Sequence, residues 1–65
     1  STIAWDGQYS RLYVYASTGK LVYQTNVSGH KTTLKTSTLP PGIYTIQLLG
    51  NEGRQTSRLV VERNP

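Results

Sequence analysis

Residues 39–46 read LPPGIYTI, a rigid turn set directly ahead of an alternating apolar run. Pro40 and Pro41 have no amide hydrogen and a fixed φ, so neither can sit inside a central β-ladder. Pro40 also drives Leu39 towards an extended conformation. Gly42 accepts turn geometry that a side chain would resist. Beyond it, Tyr44, Ile46 and Leu48 alternate with Ile43, Thr45, Gln47 and Leu49, the period-two pattern of a strand with two different faces. The stretch predicts a crossing: the chain leaves one sheet near residues 34–35 and enters a second at Ile43. Leu39 then plugs the end of the core, and Tyr44 points inward as the strand's first large residue.

Working outward, turn chemistry recurs roughly every ten residues, the spacing of a small all-β sandwich or barrel. Asp6-Gly7 has the composition of a two-residue type I′ hairpin turn. Ser17-Thr18-Gly19 suits a type I turn closed by a glycine in the left-handed region, and Asn51-Glu52-Gly53 repeats that three-residue pattern. Ser28-Gly29-His30 reads as a looser turn. Between the turns, strands are predicted over residues 2–5, 11–16, 20–27, 32–35, 43–49 and 55–62. Threonine, valine, tyrosine and isoleucine dominate these segments. In residues 20–27, Leu21, Tyr23 and Val27 are expected to share a face. In the last strand, Leu59 and Val61 oppose Val60. No segment carries a helical apolar period. The run RLYVYA (residues 11–16) is unusual, because Leu12, Val14 and Ala16 on one face and Tyr13 and Tyr15 on the other leave neither face polar. A strand with one solvent face is normally half polar.

The chain has 65 residues, and a domain of this size buries only about 60% of the surface its unfolded chain exposes. Its core supplies roughly 3–5 kcal/mol at most, and small domains usually add a disulfide, a metal or a partner. There is no cysteine, one histidine (His30) and three acids (Asp6, Glu52, Glu62), which leaves no disulfide, no thiolate metal site and no convincing metal cage. No cofactor is implied. A partner, a covalent neighbour or self-association is the remaining support. No apolar run approaches the ~18 residues of a membrane helix. Residues 1–10 lack the basic and apolar regions of a signal peptide. The net charge of +4 comes from scattered basic residues and favours weak attraction to polyanions.

Three ordered features carry a resemblance. They are Tyr15 followed by Gly19-Lys20 and Leu21-Val22, then Leu39-Pro40-Pro41-Gly42-Ile43-Tyr44, then Arg58-Leu59-Val60-Val61. In this order and spacing, over residues 12–62, the chain resembles the C-terminal sorting domain of proteins exported by the type IX secretion system of Bacteroidota. The resemblance implies an all-β fold, a small immunoglobulin-like antiparallel β-sandwich of about six or seven strands. Such domains usually open with a strand carrying an asparagine-proline step. No such step precedes Ser1, so that first strand is expected to be missing and a sheet edge open. A further expectation is a single domain over residues 1–65 at the end of a longer carrier protein.

The resemblance implies a non-catalytic export address, with transit through the periplasm and delivery to the outer membrane, the cell surface or the medium. The implied partners are the type IX translocon and a sortase-like attachment machinery. The machinery can remove the domain and anchor the carrier to anionic lipopolysaccharide. The last strand is the expected recognition element, through Arg58, Leu59, Val60, Val61, Glu62 and Arg63. Gly19, Lys20, Leu39, Pro40, Pro41, Gly42 and Tyr44 are the expected scaffold. An exposed strand edge invites another strand, and strand addition reads alternate side chains while tolerating sequence variation. Self-association through the open edge is a further expectation. The lysine usual in the family's last strand is Arg58 here, and Asn64-Pro65 extends past the usual end.

Two rival readings use the same residues. A small basic barrel could bind single-stranded nucleic acid through Tyr9, Tyr13, Tyr15, Tyr23 and Tyr44, yet basic and aromatic residues do not concentrate on one strand pair, so no nucleic acid is expected. A carbohydrate-binding sandwich could use Trp5 and the tyrosines. A catalytic set of Ser10, His30 and Asp6 lacks any nucleophile-elbow context. Trp5 reads as core or as a sheet-edge anchor. Asn26-Val27-Ser28 matches a glycosylation triplet of a kind that arises by chance.

Overall fold

The computed structural model describes residues 2–62, with Thr36 described by its backbone alone. Six strands follow one another: β1 (Thr2–Ala4), β2 (Arg11–Ala16), β3 (Leu21–Asn26), β4 (Lys31–Thr33), β5 (Gly42–Gly50) and β6 (Gly53–Val61). One 3₁₀ turn, Thr36–Thr38, lies between β4 and β5. All pairings are antiparallel. β1 and β4 form a two-stranded sheet, and the other strands form a four-stranded sheet in the order β3-β2-β5-β6. The chain is thin, with Cα extents of 40 × 22 × 15 Å, as two stacked sheets require. This is the small antiparallel β-sandwich expected from the sequence.

One core lies between the sheets. Leu12 and Val14 of β2 have no solvent exposure, and Tyr44, Ile46 and Leu48 of β5 are buried beside them. Trp5, Leu34 and Leu39 cover these from the loops around the two-stranded sheet, and Val61 closes the β6 side. The alternation in residues 43–49 thus delivers the expected inward set. The crossing at residues 34–42 also runs as expected, from β4 in one sheet to β5 in the other.

Several local expectations are corrected. Asp6-Gly7 is not a hairpin turn: β1 pairs with β4, and Trp5 N–H extends that ladder to His30 O at 2.9 Å. Gly7 does take φ of 90°, but its bend carries the chain from one sheet to the other. β4 stops at Thr33, and Leu34 beyond it turns into the core. The β5–β6 hairpin closes with Gly50 opposite Gly53, so Asn51 and Glu52 alone make the turn. Leu21 and Tyr23 do not share a face. The β2–β3 register shifts after Val14, pairing Tyr23 with Val14 and Leu21 with Tyr15. A bulge of this kind inserts one residue and turns the following side chain to the opposite side. The turn at 17–19 is as expected: Gly19 has φ of 91°, and Ala16 exchanges hydrogen bonds with Gly19 and Lys20 at 2.9 and 2.8 Å.

Candidate functional site

β6 ends the four-stranded sheet and pairs with β5 alone among the described strands. Its register with β5 is continuous from Gly42 opposite Val61 to Gly50 opposite Gly53. It is therefore a nine-residue edge strand without bulge, proline or lysine. Bulges, prolines and charged side chains are the usual devices that keep an edge from pairing with another chain, and of these β6 carries only the charges of Arg54 and Arg58. Besides its ladder with β5, the alternation of its side chains anchors it. Val61 is buried and Leu59 half-buried against the core, with Gly42 and Tyr44 as their cross-strand partners. Arg54, Thr56, Arg58 and Val60 stand on the other face, all exposed. Glu62 follows the strand and is exposed; Arg63 lies outside the described residues.

The three sequence motifs meet at one end of this sheet. Ala16, at the end of β2 where the Gly19-Lys20 turn closes, is the partner of Tyr44, and Tyr44 is the partner of Leu59. Tyr44 Oη donates to Pro40 O at 2.6 Å. The phenol is buried on its ring side and reaches back four residues to the turn that precedes its own strand. This is the device that fixes corners in immunoglobulin-like sandwiches. Pro40 and Pro41 are exposed, and Leu39 is buried as expected. Gly42 has φ of 158°, a conformation that residues with a side chain rarely adopt, as expected, and it forms the first rung of β5 opposite Val61. The proline step, through Tyr44, thus locates the C-terminal half of β6.

Two features escape a reading of the sequence alone. An added Cβ at Gly50 would meet Gln8 O at 2.5 Å and Tyr9 Cα at 3.2 Å, so Gly50 is the seat of the β1–β2 connection. Tyr9 in that connection is half-buried against the core. The second feature is Arg11, whose Nη1 donates to Tyr13 Oη at 3.4 Å.

The other residues singled out have plain surroundings. Trp5 is buried, and its Nε1 donates to Gly29 O at 3.1 Å, so it anchors the edge of the small sheet to the 28–30 turn. Ser10 Oγ donates to Leu49 O at 3.5 Å, toward the backbone of β5 rather than toward His30. Among the described residues, no group of three His, Cys, Asp or Glu could hold a metal, and no helix is long and apolar enough to cross a membrane.

The chain matches the family described as the secretion system C-terminal sorting domain over residues 1–62. No curated protein and no solved structure matches it.

Proposed function

The chain belongs to the secretion system C-terminal sorting domain family, and from that premise we propose that its sorting signal for type IX secretion is read chiefly on β6. The observation that carries this reading is the character of the edge: nine residues long, without bulge or proline, and in register with a strand pinned by Tyr44. A partner strand laid along it would complete the backbone hydrogen bonds and meet the side chains alternately. On one side it would find Arg58 and Val60, on the other the half-buried Leu59, with Val61 behind it in the core. Glu62 and Arg63 continue the same segment. The partner is the translocon and, after passage, a sortase-like attachment machinery. Two fates can follow: removal of the domain, with the carrier anchored to anionic lipopolysaccharide, or retention of the domain on its carrier. In this role the chain is one domain at the end of a longer carrier and performs no chemistry itself.

Self-association is a further part of this reading, through the sheet edge left open where the family's first strand is missing. Sedimentation of the purified chain tests this, and a monomer at every concentration refutes it. The sorting role is tested by fusing residues 1–65, with any native upstream strand, to a periplasmic reporter in a type IX-competent cell. Surface reporter is expected for the intact fusion and its loss on deletion of residues 58–65. Unchanged export after the deletion would remove the role assigned to β6.

A further inference from the structure

The four-stranded sheet has a second face, turned away from the core, and the register assigns its side chains row by row. One row runs Asn26, Arg11, Leu49, Arg54 across β3, β2, β5 and β6. The next runs Gln24, Tyr13, Gln47, Thr56, and the third Leu21, Tyr15, Thr45, Arg58. Ile43 and Val60 finish the face as a cross-strand pair, 53% and 51% exposed. A solvated sheet face of this kind ordinarily reads polar. Here eight of the twelve side chains in the three rows are polar or charged, Arg11, Arg54 and Arg58 among them, and Tyr13, Tyr15, Leu21 and Leu49 stand between them, with Ile43 and Val60 beyond. None of the three acids of the chain belongs to these rows: Asp6 and Glu52 are in connections and Glu62 follows β6.

The face is also partly preorganised. Tyr13 and Tyr15 lie 6.4 Å apart between ring centroids and 30° from parallel. Arg11 leans on the Tyr13 hydroxyl, and that hydrogen bond raises its pKa above the usual guanidinium value. Arg11, Tyr13, Gln24, Thr25 and Asn26 line an open hollow of about 410 Å³. A guanidinium, a phenol and two carboxamides around one hollow suit a carboxylate, since all can donate to it. Tyrosine and arginine are among the residues enriched where proteins bind one another.

The geometry points to this outer face as a docking surface for an acidic protein surface, with carboxylates meeting Arg11, Arg54 and Arg58 and apolar side chains meeting Tyr15, Ile43 and Val60. Charge selects the occupant. A second copy would oppose three arginines with three arginines, whereas an acidic partner neutralises them. The exposed aliphatic pair favours a protein over a sugar or phosphate chain, which offers little apolar surface. The inference rests on the sorting reading, because it makes a component of the secretion machinery the partner. It differs in location: β2 lies inside the sheet, where no added strand can reach its backbone.

Arg11 on β2 therefore separates the two contacts. In the reporter fusion, Arg11→Glu should lower surface export about tenfold, as a reversed charge at a complementary interface does. Lys31→Glu makes the same change of charge on β4 of the other sheet and should leave export within about twofold. Arg11→Lys should retain most of it. Both sites are exposed, and equal thermal midpoints establish that all variants fold. Wild-type fusion that stays in the periplasm removes the sorting reading and this inference with it. Export with Arg11→Glu at the wild-type level overturns the docking face and leaves the sorting reading standing. Equal losses for Arg11→Glu and Lys31→Glu overturn it as well. In a second arm, the ¹⁵N-labelled chain is titrated with a polyglutamate peptide. Shifts are expected around Arg11, Tyr13, Tyr15, Arg54 and Arg58, fading with salt. Equal shifts around Lys31 and Lys35, or shifts of the face with polygalacturonate and none with the peptide, would overturn the inference. So would a concentration-dependent dimer that Arg11→Glu dissolves.

Discussion

Tyr44→Phe removes a single oxygen, and its effect follows from where that oxygen sits. The hydroxyl donates at 2.6 Å to Pro40 O, partly buried, while the ring stays packed in the core. Phenylalanine keeps the ring and loses the bond, leaving the Pro40 carbonyl to find water at a partly covered site. A hydrogen bond of this kind contributes about 1 kcal/mol net, and about 1–2 kcal/mol when its partner is left unsatisfied. At about 0.05–0.15 kcal/mol per residue, this 65-residue chain has roughly 3–10 kcal/mol of total stability. The substitution thus removes a sizeable fraction. In a domain this small each kcal/mol moves the thermal midpoint by about 4–8 °C, so a fall of roughly 5–15 °C is expected. Circular dichroism melts of the two chains measure it, with Tyr23→Phe at an exposed tyrosine as the control. Because Tyr44 is the cross-strand partner of Leu59, the reporter fusion carrying Tyr44→Phe should also lose export at temperatures where the chain remains folded. A midpoint within about 2 °C of wild type would refute the claim that this bond locks the turn to the strand.

Other perturbations have equally direct outcomes. Leu12→Ala at a fully buried site should cost about 2–5 kcal/mol, a large share of the total stability; urea titration measures it. Gly50→Ala drives a Cβ into Gln8 O and should destabilise by about 1–3 kcal/mol, whereas the same change in an ordinary exposed strand would be neutral or better. Gly19→Ala forces a side chain to φ of 91° and should lower stability by about 1 kcal/mol, read from the same melts. Trp5→Phe loses the bond to Gly29 O along with buried volume, and roughly 1–3 kcal/mol should disappear from the urea titration.

Particular residues mark how far the chain could be read before it was folded. The alternation from Ile43 to Leu49 and the glycine turn at 17–19 were legible because both depend on neighbours within a few residues. Asp6-Gly7 shows the limit. The demand for positive φ at Gly7 is local and was correctly sensed, but whether the bend closes a hairpin depends on what β1 pairs with. That partner is β4, nearly thirty residues away. The bulge after Val14, which sends Leu21 and Tyr23 to opposite faces, is likewise a property of two strands together. Gly50 is small because Gln8 passes over it, and nothing near Gly50 in the chain announces that.

The candidate site divides in the same way. Arg58-Leu59-Val60-Val61 and the proline step are contiguous runs, so their identity and order were available from the letters. Their convergence was not. It required the row Ala16, Tyr44, Leu59, which joins β2 to the β5–β6 hairpin much further along the chain. The seven basic residues looked scattered because their positions in the chain say nothing of sheet order. Once the strands run β3-β2-β5-β6, three of the arginines share one face with two stacked tyrosines. Backbone conformation and the alternation of faces are set by covalent geometry and near neighbours, and these a chain carries in itself. Which faces adjoin, and so which charges and rings meet a partner together, is set by strand order and register, and these exist only when distant segments pair.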